Sequence, residues 1–217
     1  MVDYIYQLDR ILLQEQVRKF AHYVTGDVLD IGGGDYQRYK KFFKYKSYLS
    51  MDVYEGKDID VVGSADDIPF PDESFDSVIS TQVLEHVKFP EKCVQEACRV
   101  LKKGGIALVT VPQWNDLHSE PHDYWRYTNY GMKELFERNG FETLAYEQRG
   151  GFYINIAQMR MRFAIEKYHL YKHPIAGPIM SRLFRLYGTY ARFRDARDTS
   201  IVNRKNTIGW CFAFRKR

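Results

Sequence analysis

Cysteine is scarce, with three in 217 residues: Cys93, Cys98 and Cys211. An odd count at these spacings matches neither a disulfide framework nor a zinc site, so they read as ordinary buried or partly buried thiols. No apolar run approaches the length a bilayer span needs, and the start MVDYIYQLDRILLQEQ lacks the basic-then-apolar layout of an export signal. A cytoplasmic protein is expected. There is no internal repeat and no low-complexity segment, which excludes a stacked-repeat array.

What is present suits one compact domain, residues 1–217, since 45% of the residues are hydrophobic. The net charge of +4 is unevenly spread. Residues 152–217 hold 14 Lys and Arg against 3 acids, a net of +11, and the preceding 151 residues hold 18 against 25, a net of −7. Such asymmetry suits either a polyanionic or membrane-surface partner or a solvated face.

Apolar residues from Tyr4 to Val24 recur at three- and four-residue steps, which predicts an N-terminal helix within 1–25, capped by Asp3 and closed by Gly26. Short apolar runs follow at 27–31, 47–53, 59–62, 75–81 and 105–112, with a helix over 91–103 that would end on Lys102 and Lys103. Strands alternating with helices mean a parallel sheet covered on both faces, an α/β fold. Residues 114–129 lack periodicity and read as a long loop, Thr128 as a helix N-cap, and 130–148 as helix, turn and strand. Two helices are expected over 152–171 and 175–194, within a basic helical insertion spanning 152–200. A final strand should lie within 206–217, where Thr207, Trp210, Phe212 and Phe214 can alternate.

The stretch VLDIGGGDY, residues 28–36, stops an apolar run at a carboxylate and then places Gly32, Gly33 and Gly34 in a row. A P-loop needs a following Gly-Lys-Ser/Thr, and none is there. A dinucleotide fingerprint wants a small residue three positions after Gly34, where Gln37 stands, and this counts against NAD or FAD. The remaining reading lets backbone amides approach a ligand beside the acid without a pyrophosphate pocket.

From about Gly26 to Phe141 the chain resembles the class I S-adenosylmethionine-dependent methyltransferases. Asp30, Gly32 and Gly34 match that family's acid and Gly-x-Gly turn, with Gly33 between them and Tyr36 where a third glycine often stands. The resemblance implies a Rossmann-like, seven-stranded, mostly parallel sheet whose last strand is antiparallel, with the N-terminal helix and the helical insertion covering the active site. It also implies S-adenosylmethionine as cofactor. Asp30 and the glycines would hold its methionine part, Asp52 and neighbouring Val53 the ribose, Ala65 and Asp66 the adenine, and Ser80, Thr81 and Gln82 would border the methionine portion. A carboxylate suits a vicinal diol because its two oxygens accept both protons. The family more often has an acid where Ser64 stands. A non-catalytic nucleoside-binding member of the fold stays open beside the enzyme.

Acceptor groups should lie past the ends of the fourth and fifth strands. LEHV at 84–87 offers His86 as a base or a packed histidine. HSEPHDYWRYT at 118–128 resembles a segment of methyltransferases encoded among genes for bacterial surface glycans. In it His122, oriented by Asp123, is the first candidate for general base, with His86 the second. Tyr124, Trp125 and Tyr127 could stack on sugar faces or anchor the loop, and Arg126 could meet an acidic acceptor group or pair with Asp123. His118, Glu120 and His122 alternate as metal ligands can, but without helical support no metal is expected.

These readings converge on O-methylation of a sugar in a surface or lipid-linked glycan. The alternative acceptors are a small metabolite or RNA, with no RNA-binding module recognisable in the chain. Ile175, Ile179, Leu183, Leu186, Tyr190 and Phe193 fall on one helical stripe among arginines. That stripe would either lie on an anionic membrane at the inner face or pack on a sheet edge or a second subunit as a dimer.

Overall fold

A computed structural model describes residues 5–35 and 37–217, so the Asp3 cap and Tyr36 lie outside the described residues. The chain divides into two compact units. A helical unit comprises Met1–Gln14, Trp114–Asp116 and Gln148–Ile208, and a sheet unit comprises Glu15–Gln113, Leu117–Glu147 and Gly209–Arg217.

The sheet unit is built on seven strands, β1 (Asp27–Ile31), β2 (Ser47–Asp52), β3 (Val61–Val62), β4 (Phe75–Thr81), β5 (Leu101–Pro112), β6 (Phe141–Gln148) and β7 (Gly209–Lys216). Their order is β3-β2-β1-β4-β5-β7-β6. Pairings from β3 through β5 are parallel, and β7 runs antiparallel to β5. This is the class I methyltransferase, Rossmann-like α/β fold. Neighbours β1 and β4 are not consecutive in the chain, so the strand order reverses between them and leaves a crevice at their C-terminal ends.

Strand β7 departs from simple alternation, because Gly209 to Phe214 are all buried. It lies inside the sheet with both faces covered, so apolar side chains are needed on each side. Phe212 and Phe214 still share a face, where Phe214 stacks on Phe136 of α3 (Asn129–Glu137) at 4.0 Å and on Phe212 at 5.1 Å. Thr128 caps α3 as expected, accepting from the Gly131 amide at 3.1 Å.

Two helix boundaries need correction. Helix α1 covers only Leu8–Phe20, followed by a 3-10 turn at Ala21–Tyr23. Helix α2 (Pro90–Val100) stops short of the two lysines. Leu101 is fully buried and already pairs with Phe75, drawing the chain into β5, where a register shift follows and Gly104 takes a left-handed φ of 78°. Lys102 therefore does not cap the helix. Its Nζ donates to Asp76 Oδ1 at 2.8 Å.

The helical unit packs Ile5, Tyr6 and Leu8 with α4 (Phe152–Lys167) and α5 (Ala176–Arg197). A short helix, α6 (Ile201–Arg204), capped by Ser200, was not expected from the sequence. Among the described residues no helix is long and apolar enough to cross a membrane.

Replacing Phe214 by Ala should cost about 3–5 kcal/mol of stability, the range for deleting a fully buried ring. Urea unfolding monitored by tryptophan fluorescence checks this, and a loss below about 1 kcal/mol would mean the ring stack is not part of a tight core.

Candidate active site

The acid at the tip of β1 is buried beneath the glycine turn. Asp30 is 3% exposed, and its Oδ2 accepts a 2.6 Å hydrogen bond from the Tyr48 hydroxyl. Gly32 and Gly34 have φ values of 70° and 61°, which a side chain rarely tolerates. Gly33 is glycine for another reason, since a Cβ there would overlap the Ser50 hydroxyl and crowd Asp30. Burial pushes the Asp30 carboxyl up to about 7, against the Tyr48 hydrogen bond, and the charge of Asp52 adds to the rise. Neither Asp30 Oδ1 nor Ser50 Oγ has a hydrogen-bond partner.

Beside the turn, a crevice of about 220 Å³ is lined by Ile31, Gly32, Met51, Asp52, Val53, Gly63, Ser64, Ala65, Gln82, Val83, His86 and Val87. It brings together one or more expected residues from each segment: the turn, the second acid, the adenine stretch and the end of β4. Asp52 Oδ2 faces the Gly34 amide at 3.3 Å, tying the two strand tips together. Gln82, with φ of 57°, donates from Nε2 to Thr110 Oγ1 at 3.1 Å.

Other expected residues stand elsewhere. Asp30 supports the turn from below and is not part of the lining. Ser80 turns inward, to a small enclosed space among Ile31, Ala65, Val78 and Leu84. Asp66 accepts a hydrogen bond from Ser64, which lines the crevice in its place. The sequence reading missed Tyr48, Ser50 and Val83, which sit under or against the glycines. The even spacing of Tyr48 and Ser50 on β2 was a usable signal, because residues two apart share a face.

The 118–128 loop is strapped onto the 3-10 turn Leu84–His86. The amides of Tyr124 and Trp125 both donate to the Glu85 carbonyl, and Trp125 Nε1 donates to the Val87 carbonyl at 2.9 Å. Tyr127 is buried in the core and its hydroxyl donates to the Leu84 carbonyl at 2.8 Å, so it anchors the loop and cannot stack on an acceptor. Asp123 does not orient His122. Its carboxylate accepts two 2.7 Å bonds from Arg126 and one from the His118 amide, which hold it down at about 2. His122 is exposed, with Nδ1 3.0 Å from the Tyr124 hydroxyl.

His86 is the histidine that lines the crevice. Its Nδ1 lies 2.7 Å from the His122 carbonyl oxygen, which can only accept, so the ring hydrogen sits on Nδ1 and Nε2 keeps its lone pair. Burial lowers its pKa below the ordinary 6.5. The structure does not gather His118, Glu120 and His122. Among the described residues Glu85, His86 and His118 instead place one ligand atom each within 4.8 Å of one another.

Residues 29–109 match the methyltransferase-domain family. Over 70 residues the chain is 37% identical to demethylmenaquinone methyltransferase of Paenarthrobacter aurescens, covering 29% of this chain and 28% of that one. It spans less than half the length of the curated relatives it matches. Among solved structures it resembles phosphoethanolamine N-methyltransferase 2 of Haemonchus contortus in complex with S-adenosyl-L-methionine (TM-score 0.57, 18% identity, 98% of this chain and 57% of that one). It equally resembles the [4+2]-cyclase SpnF (TM-score 0.56, 18% identity, 96% and 80%). Residues 29–109 thus match a methyltransferase domain, and the sheet that contains them has the class I methyltransferase fold.

The crevice offers groups that could hold S-adenosylmethionine. Asp52 offers a carboxylate for the ribose diol, Ser64 and Ala65 lie where an adenine edge is expected, and the glycines leave room for close backbone approach. Asp52→Ala should weaken S-adenosylmethionine binding at least about tenfold, the lower end of a charge-assisted hydrogen bond. Unchanged affinity by titration calorimetry in a folded variant would remove Asp52 from the site.

Asp30 also makes a pH prediction. Its folded-state pKa, about 7, lies above the unfolded value near 3.8, so its protonated form stabilises the fold below about pH 4 and that contribution is lost as pH rises to about 7. Asp30→Asn should therefore gain stability relative to the parent chain across this window, by up to a few kcal/mol. Parallel unfolding curves at pH 4 and pH 7.5 read the difference, and an unchanging gap would show that Asp30 does not titrate there.

Proposed function

We propose that the protein transfers a methyl group from S-adenosylmethionine to a hydroxyl of a sugar in a surface or lipid-linked glycan, at the inner face of the membrane. The observation that carries the reaction type is His86, a half-buried neutral imidazole in the donor crevice with a fixed tautomer. A hydroxyl is a poor nucleophile until its proton is removed, and a positioned base of suitable pKa contributes about 10²–10⁴-fold. Bound S-adenosylmethionine supplies an electrophilic methyl group on a sulfonium. His86 accepts the hydroxyl proton at Nε2, while the His122 carbonyl holds the ring in place. His122 itself, first on sequence grounds, is second on this geometry.

A sugar acceptor is supported by the groove of about 700 Å³ that begins at Lys88, two residues beyond His86. Phe89 and Trp125 present exposed rings there, among Gln95, Arg126 and Glu134. Apolar sugar faces stack on such rings while planar polar groups bind the hydroxyls. SpnF sharing the fold keeps a non-methylating reading alive, and the same assay addresses it.

Labelled S-adenosylmethionine should deliver its methyl to extracted surface or lipid-linked glycans. Label entering only small metabolites or RNA would overturn the acceptor, and no transfer to any fraction would overturn the enzyme. His86→Ala should lower kcat at least about a hundredfold and abolish the acid limb of the pH profile below about 6.5, with donor affinity unchanged. His122→Ala should change kcat only a few-fold, and the reverse ranking would return the role of base to His122.

A further inference from the structure

The two faces of α5 differ sharply. Inward, Phe184, Gly188 and Ala191 are buried in the helical unit's core, and a Cβ on Gly188 would lie 2.8 Å from Tyr6. Outward, Ile175, Ile179, Leu183, Leu186, Tyr190 and Phe193 are between 49% and 76% exposed. At 3.6 residues per turn these six positions fall within about 80° of the circumference and extend along about 27 Å of axis.

We propose that this outward face of α5 is a membrane-docking surface that lies in the interface of an anionic bilayer. This goes beyond the methyl-transfer reading and does not depend on it. Scattered exposed apolar residues are ordinary, but a continuous stripe of aliphatic and aromatic side chains needs a cover. The charges choose the cover. Arg182, Arg185 and Arg192 flank one border, and Arg194 and Arg197 lie toward the other end. The guanidinium groups of Arg194 and Arg197 sit over the rings of Tyr190 and Phe193, at 5.9 and 4.4 Å.

The helix's one acid, Asp195, faces inward, where its oxygens accept from the Gly151 amide at 3.1 Å. An apolar centre with basic borders and no acid matches acyl chains below anionic headgroups. A second copy meeting this face by two-fold symmetry would bring arginine borders together, which like-charge repulsion opposes. Nucleic acid would meet the arginines but leave the aliphatic stripe without a partner.

The test uses the full chain with sedimented vesicles, one set of phosphatidylcholine and one with about a third phosphatidylglycerol. At low salt the protein should pellet with the anionic vesicles, at least about tenfold more tightly than with the neutral ones, and raised salt should weaken this. Leu183→Glu with Leu186→Glu should abolish pelleting while leaving the thermal unfolding midpoint unchanged, since both side chains are exposed. Arg185→Gln with Arg192→Gln should weaken it without abolishing it. Equal recovery in the supernatant with both vesicle types would overturn the proposal. So would a double-glutamate variant that still pellets, or light scattering that finds a dimer which the same variant dissociates.

Discussion

Beneath the bend that follows β1, Asp30 and Ser50 fill the space a side chain at Gly33 would need, and the Tyr48 hydroxyl donates to Asp30. The crevice depends on this arrangement. With the bend supported from below, Gly32 and Gly34 can hold left-handed backbone and bring the Gly34 amide to Asp52 on the next strand. The arrangement has a cost, because a carboxyl removed from water disfavours its own charge. A hydroxyl donor from Tyr48 offsets only part of it, and so the group titrates near neutrality. The crevice thus keeps Asp52 in its lining and Asp30 beneath it as a strut.

The opposite wall is made by strapping. A loop without regular structure would ordinarily be mobile and variable. Here three of its donors end on carbonyls of Glu85 and Val87, its Tyr127 hydroxyl reaches Leu84, and Asp123 with Arg126 and His118 closes its interior. The result converts a flexible connection into a template for His86, whose Nδ1 is held by a carbonyl of that loop. Residues that look catalytic by type, Asp123 and Tyr127 among them, are consumed in holding the one that faces the crevice.

Much of this was legible beforehand, and the reasons for the rest are specific. β1 and β4 have the bounds their apolar runs indicate, because a strand buried on both faces is mostly apolar. Asp52, Ala65 and Gln82, expected from the family resemblance, line the crevice at the switch point, where ligands of open α/β sheets bind. The end of α2 was not, since Lys102 and Lys103 suit a helix terminus as well as a bulged strand, and only the burial of Leu101 decides. The choice between His86 and His122 was equally hidden. Both are histidines beside acids in the chain, and the discriminating contact, a backbone carbonyl 36 residues away in sequence, leaves no trace in either neighbourhood.

The fold alone does not assign a reaction, since SpnF, a cyclase, shares it at a TM-score of 0.56. What a shared fold supplies is a crevice at the switch point. What this chain adds is a histidine in that crevice, and its proposed role can be separated physically from donor binding. In the proposed reading donor binding draws on Asp52 and the glycine amides, whereas an acceptor hydroxyl needs a base that is neutral when it acts. The proposal gives that part to His86, whose pKa is lowered by burial while the carbonyl that fixes its tautomer pulls the other way. Burial and the carbonyl thus act on His86 in opposite directions, and burial is the larger effect, which favours the neutral ring a base must be.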